Sequence, residues 1–199
     1  QPSFAKAPAD RLVQLSLDAS TKLAEINLAL LFPGIASVQG VAYDESDNTL
    51  WFASLGESLI RHISKAGSSI GSFALTNANG VAYDRLRDRL WTSAGNTLRR
   101  MTKAGATELT IALPISTVDQ LFYDEINDFI WITTDEAGPT GKLRNYDCAK
   151  GIMGAYTYTL TGANAIEGAV VTTTDVLLMN DSHMHGQSPD FNQMLTYAR

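Results

Sequence analysis

The chain is predicted to be all-β: a small β-propeller of about four four-stranded blades, its ring closed by N-terminal strands. Three observations carry that expectation. Gly40-Val41-Ala42-Tyr43-Asp44 returns letter for letter as Gly80-Val81-Ala82-Tyr83-Asp84, and degraded as Gln120-Leu121-Phe122-Tyr123-Asp124. A fourth copy, Gly168-Ala169-Val170-Val171-Thr172, keeps only the apolar character. Trp51, Trp91 and Trp131 follow at the same forty-residue step, with Leu178 in the tryptophan's place in the fourth copy. Finally, each unit holds short runs rich in β-branched and aromatic residues between Gly, Asn and Asp turns, the signature of strands. Four strands per ~40-residue repeat make the blade of a propeller.

The first unit reads as strands over 41–43, 49–54, 59–64 and 69–75, the second over 80–83, 89–94, 97–102 and 107–113. The third gives 120–123, 129–134, 142–147 and 154–160. Each first strand is apolar on both faces, which suits an innermost strand between neighbouring blades. The third strands carry Arg61, Arg99, Arg100 and Arg144, which suits an outer position. The three tryptophans are expected at equivalent structural positions between blades. Residues 11–18 and 21–29 resemble the third and fourth strands of a blade, while the C-terminal unit offers 168–173, 176–181 and 192–199. The two ends are expected to complete one blade together, with one third strand left over. An unpaired strand edge invites another chain, so an oligomer or larger assembly is expected. Residues 1–10, with Pro2 and Pro8, read as an extended arm, and 11–199 as a single propeller domain.

Composition narrows the function classes. A net charge of −6 argues against a duplex nucleic-acid partner, which needs a basic surface to displace counterions. No apolar run approaches the ~20 residues of a membrane-spanning helix. Cys148 is the single cysteine, so no intrachain disulfide and no cysteine metal cluster can form. It reads as a half-buried thiol without catalytic context.

The Asn79-Gly80 step entering an apolar strand, followed by an Asp turn and a tryptophan strand, resembles the NHL, YVTN and SMP-30/gluconolactonase group of propellers. The resemblance spans 38–180 as a repeat pattern and speaks to fold before activity. It directs attention to Gln39, Asn79, Asp119 and Glu167, which stand just before the four inner strands, one per blade. In SMP-30-like lactonases, similarly placed Glu, Asn and Asp residues hold a divalent cation. Two carboxylates and two amides suit a hard ion such as Ca²⁺. The same positions serve equally as backbone caps or as the lining of a wet channel. That family has six blades, and its catalytic carboxylate cannot be mapped onto this chain.

Other candidates are weaker. His183 and His185 share one side of an extended segment near Asp181, a conceivable transition-metal pair in a Gly/Pro-rich loop. His62 reads as a surface residue of an outer strand. Asp44 to Asp47 and Asp124 to Asp128 lack the EF-hand spacing and read as hairpin turns. Tyr146, Tyr156, Tyr158 and Tyr197 could face a partner or fill space between blades. No phosphate loop, nucleophile elbow or His-Glu-x-x-His motif is present.

The expected function is therefore a non-enzymatic recognition or assembly module of extracellular, periplasmic or virion-surface type, binding a protein or carbohydrate surface. The alternative is a small metal-dependent hydrolase of the SMP-30/gluconolactonase kind, with a cation at the channel mouth.

Overall fold

The structure, a computed structural model, describes residues 11–16, 20–115, 118–134, 140–161, 166–171, 175–181 and 192–198. The first unit is β3 (Val38–Asp44), β4 (Thr49–Ser54), β5 (Leu59–Ser64) and β6 (Ser69–Ala74), after β1 (Arg11–Leu15), β2 (Lys22–Asn27) and the one-turn helix α1 (Leu28–Leu31). The second unit is β7 (Ala78–Asp84), β8 (Arg89–Ala94), β9 (Thr97–Met101) and β10 (Thr107–Ala112). The third is β11 (Val118–Asp124), β12 (Phe129–Thr134), β13 (Thr140–Asp147) and β14 (Ile152–Thr161). The last is β15 (Ile166–Val171), β16 (Asp175–Asp181) and β17 (Asn192–Ala198). Each of the first three units is a four-stranded antiparallel meander, and β15–β17 form a three-stranded one. The chain is a small all-β propeller, and its repeats are its blades. Among the described residues, no helix is long and apolar enough to cross a membrane.

One carboxylate organises each repeat. Asp44, Asp84 and Asp124 end the inner strands, and each is almost wholly buried. Their Oδ1 atoms accept backbone N–H bonds from Ser46, Arg87 and Ile126, which closes the turn. Their Oδ2 atoms accept the indole N–H of Trp51, Trp91 and Trp131 at 3.4, 3.1 and 3.2 Å. The turn ends on Asn48, Asp88 or Asp128, each with positive φ, a conformation that Asn and Asp tolerate better than most residues. Their side chains accept the hydroxyl of the tyrosine before the buried Asp: Tyr43, Tyr83 and Tyr123 donate at 2.9, 2.9 and 3.0 Å. A buried carboxylate is tolerated when its lone pairs are used, and here they hold turn and core together.

The cores lie between blades. Trp51, Ala53, Ile60 and Leu75 on the trailing face of the first sheet meet Val81, Tyr83, Leu90 and Met101 on the leading face of the second. Trp91, Leu98 and Leu113 meet Leu121, Tyr123 and Ile130 in the same way. Trp131 is 2% exposed. Charge follows the same step. Lys103 in the second blade bonds Asp44 of the first at 2.7 Å, and Arg87 joins Asp84 to Asp128 of the third. Burial opposes the charge on Lys103, yet its bonds to Asp44 and Asp88 hold its pKa above the ordinary lysine value.

At the axis the inner strands approach very closely. A Cβ on Gly40 would stand 2.7 Å from the Val81 amide nitrogen, and one on Gly80 would stand 2.7 Å from the Asp119 carbonyl oxygen. Gly40 also leaves room for the Gln120 side-chain oxygen arriving from the third blade. These glycines are required by proximity, and the curvature they permit is that of a small ring.

Several expectations need correction. The N-terminal strands pair with each other, Arg11↔Asn27 through Leu15↔Lys22, as a separate two-stranded sheet. They do not join the C-terminal sheet, because β17 takes the outer edge of β16 in unbroken register from Asp175↔Ala198 to Asp181↔Asn192. Among the described residues, no extended packing joins β15 to β3. The strand expected over 21–29 stops at Asn27, whose side chain caps α1 by accepting from Ala29 and Leu30 N–H groups. In the fourth blade, Ile166↔Asn180 matches Val38↔Ser54, so Val170↔Leu177 matches Ala42↔Trp51. Leu177, not Leu178, holds the tryptophan's register. His62 is no surface residue: it is 9% exposed and stacks on Trp51 at 3.7 Å. Residues 1–10, expected as an extended arm, lie outside the described residues.

Two outcomes follow for equilibrium urea unfolding. Trp91→Ala should cost about 3–5 kcal/mol, as for other large-to-small aromatic truncations in a core. Gly80→Ala should cost about 1–3 kcal/mol through overpacking against backbone that cannot retreat, whereas Gly71→Ala, with open space around it, should leave the midpoint nearly unchanged.

Candidate functional site

The four residues singled out by position lie within the inner strands and not before them. Gln39, Asn79, Asp119 and Glu167 are each the second residue of β3, β7, β11 and β15. The ladder register slips at these positions in all four blades, which marks a β-bulge. In two blades a neighbouring hydroxyl satisfies the freed amide: Gly80 N–H donates to Ser93 Oγ at 2.7 Å, and Gln120 N–H to Thr133 Oγ1 at 2.8 Å. The bulge gives all four residues the same backbone setting.

The structure brings Asn79 and Asp119 together. Asn79 Nδ2 donates to the Val118 carbonyl at 2.8 Å and lies 3.4 Å from Asp119 Oδ1. That arrangement turns Asn79 Oδ1 inward, where it is buried without a hydrogen-bond partner. An orphaned amide oxygen beside a carboxylate fits one side of a hard-cation site. Gln39 is half-buried on the neighbouring strand, and the side chain of Glu167 lies outside the described part. At the opposite end of the inner strands Arg85 pairs with Glu45, at 2.9 Å, and with Glu125, linking the first blade to the third.

A second place stands out on the leading face of the first blade. Val81 and Leu121 are 0% and 7% exposed, and Tyr83 and Tyr123 are each 8% exposed, because a preceding blade covers them. Their first-blade equivalents, Val41 and Tyr43, are 50% and 47% exposed. Only part of that face is covered. Leu28 and Phe32 pack on Phe52 and Ile63, with Leu12 and Ile26 beside them. The uncovered part is a groove of about 580 Å³ whose lining includes Leu12, Val13, Ile26, Val41, Tyr43 and Lys65.

The remaining candidates divide into those the structure does not describe and those it places. His183 and His185 lie outside the described residues, as do the side chains of Tyr156, Tyr158 and Tyr197. Tyr146 is 3% exposed and packs on Trp91, so it fills space between blades. Burial pushes the Cys148 thiol up to about 12, which leaves it protonated and unreactive at neutral pH. Among the described residues, no group of three or more His, Cys, Asp or Glu side chains is placed to hold a metal. Sequence reasoning missed the Asp–Trp pairing, although an Asp seven residues before each tryptophan was there to be read. It also missed Gln120 at the axis, visible as the one inner-strand copy without glycine.

No protein-family model matches the chain, and no curated protein matches it in sequence. Solved structures match it in fold. Kuenenia stuttgartiensis hydrazine synthase aligns with a TM-score of 0.63 and 8% identity over 94% of this chain and 56% of its own. The gluconolactonase XC5397 from Xanthomonas campestris aligns at 0.59 and 15% identity, over 81% of this chain and 58% of its own. A nidogen/laminin complex aligns at 0.57 and 12% identity, over 83% of this chain and 68% of that one. The chain thus spans little more than half the length of the first of these. At such identities the likeness concerns the fold alone, and the fold they share with this chain is the propeller.

Proposed function

We propose that the chain is a non-enzymatic recognition module that binds a protein or glycan partner through its blade surfaces. The observation that carries this reading is where space is found. Among the described residues the axis is closely packed at Gly40, Gly80 and Gln120, whereas a groove is open on the flank of the first blade. A propeller enzyme of the lactonase kind needs a substrate cavity over its channel mouth. Likeness to the nidogen/laminin complex is compatible with a protein partner.

A second reading, a metal-dependent hydrolase, rests on the orphaned Asn79 Oδ1 beside Asp119. Here Asn79, Asp119, Gln39 and Glu167 would hold Ca²⁺, which would supply a Lewis acid at the channel mouth.

The purified chain should hydrolyse gluconolactone no faster than its Asp119→Asn variant, with or without added calcium. Calcium-dependent hydrolysis that Asp119→Asn abolishes would overturn the recognition reading. The metal is tested separately by melting. A bound divalent ion adds about 2.7 kcal/mol at a hundredfold excess over its dissociation constant. Calcium should then raise Tm in the wild type and not in Asp119→Asn. Equal melting in calcium and EDTA would remove the second reading.

A further inference from the structure

Opposite each core tryptophan, on the next strand of its sheet, stands one residue. His62 faces Trp51, Arg100 faces Trp91 and Asn145 faces Trp131. Neither an arginine nor an asparagine changes charge near neutral pH, whereas a histidine does. His62 thereby sets the first blade apart from the second and third. Its imidazole lies flat on the Trp51 indole, with ring centres 3.7 Å and planes 7° apart. On β5 it shares a face with Ile60, two residues away, and Ile60 packs on the second blade.

Hydrogen bonding fixes the proton on this ring. The Thr49 hydroxyl donates to Asp47 Oδ1, because a carboxylate only accepts. The Thr49 oxygen is left to accept from His62 Nε2, 2.7 Å away. The neutral ring thus carries its hydrogen on Nε2, and a second proton can enter only at Nδ1.

The charges around the ring oppose one another. Asp47, in the turn after β3, comes within 4.0 Å of Nε2, and Asp44 ends β3 beneath the Trp51 indole N–H. Both favour an imidazolium, as does the indole face. Against it stand burial and the Lys103 ammonium of the second blade, which bonds Asp44 at 2.7 Å and Asp88 at 2.6 Å. Tyr83 of β7 donates its hydroxyl to Asp88 and titrates above the ordinary tyrosine value. The strands flanking β5, which are β4 and β6, hold no titratable residue. Burial is the largest of these effects, and the balance keeps the His62 pKa below its ordinary 6.5. The unfolded chain therefore takes up this proton first. The stability that depends on it is complete above about pH 6.5 and is lost as pH falls through the folded midpoint.

We propose that His62 makes the joint between the first and second blades pH-sensitive: the joint is closed while the imidazole is neutral and loosens when Nδ1 takes a proton. The imidazolium then shares the joint with the Lys103 ammonium, and like charges shielded from water repel strongly. Loosening bares Trp51, Ala53 and Ile60 of the first blade and Val81, Tyr83 and Leu90 of the second. The joint between the second and third blades, with Arg100 opposite its tryptophan, has no such group among the described residues and stays shut. This device is independent of whether the chain recognises a partner or hydrolyses a lactone.

The test is an NMR titration of the full chain with ¹⁵N-labelled histidine rings, between about pH 8 and pH 5. The His62 ring, assigned through its contacts to the Trp51 ring, should show the Nε2–H form in alkali and take its proton below 6.5. Lys103→Gln removes a facing positive charge and should move that midpoint up. Asp47→Asn removes a facing negative charge and should move it down. Backbone hydrogen exchange, corrected for its intrinsic pH dependence, should report the joint. In mild acid the opening of β3–β6 should rise by up to about tenfold for each unit by which the midpoint lies below 6.5, with β11 and β12 little changed. His62→Phe keeps a ring on Trp51 but cannot titrate, and it should remove that rise. The charge variants are read on an intact histidine, so they decide the matter even where His62→Phe fails to fold. A midpoint at or above 6.5, a midpoint unmoved by Lys103→Gln, or acid exchange that rises equally in the third blade overturns the proposal.

Discussion

The repeat depends on one carboxylate per blade. Asp84 is wholly buried, and its two oxygens hold the turn backbone, the indole of Trp91 and the guanidinium of Arg87. The turn, the core and the contact to the next blade are thereby one cooperative unit. Removing the tryptophan leaves a buried acceptor, and removing the aspartate leaves a buried donor. Neither residue is tolerable alone, which is why the pair recurs together at each forty-residue step. The fourth copy has lost both, with Thr172 and Leu177 in their places. Its inner strand keeps the bulge at the same position, so the backbone pattern has outlived the carboxylate that anchors the other three.

Packing between blades follows from the same unit. Tryptophan faces one way along the ring, and the Val–Tyr–Leu face looks the other way, so every sheet offers one surface of each kind. The apolar interfaces are formed by consecutive units, whereas at the axis the first and third blades also meet, Gln120 standing against Gly40. Lys103 and Arg87 add a charged clasp between the first and second and between the second and third blades. Asp128 is held below the usual carboxylate range, chiefly by its hydrogen bonds from Arg87, so the clasp stays charged well into acid. Among the described residues, the leading face of the first blade is covered by no preceding blade, only in part by the N-terminal hairpin and α1.

Much of this was legible in the residues. The duplicated Gly-Val-Ala-Tyr-Asp and the spaced tryptophans specify strand order, blade boundaries and inter-blade burial, since local pattern decides each of them. The polar positions 39, 79, 119 and 167 were found as a set, though the β-bulge they share is not something spacing alone reveals. The ends were not legible. Whether residues 11–27 join the C-terminal sheet turns on competition for one edge of β16, and local hydrophobic pattern is nearly the same for either winner. His62 was misread because an outer-strand histidine between Arg61 and Ile63 looks solvated, whereas the stacking partner that buries it lies across the sheet.

The first leading face shows how the array handles its end. The N-terminal hairpin and α1 act as a cap: Leu28 and Phe32 cover Phe52 and Ile63, and Arg61 lies 3.9 Å over the Phe32 ring. A cap built as a complete blade would also bury Val41 and Tyr43. This one is built as the outer half of a blade, so it hides the peripheral part of the face and leaves the axial part open. A partly exposed strand edge beside an apolar floor is a hazard in a protein that must stay monomeric. Among the described residues, the half-blade cap thus leaves the axial part of that face, Val41 and Tyr43 with Lys65 over the Tyr43 ring, as an accessible apolar surface.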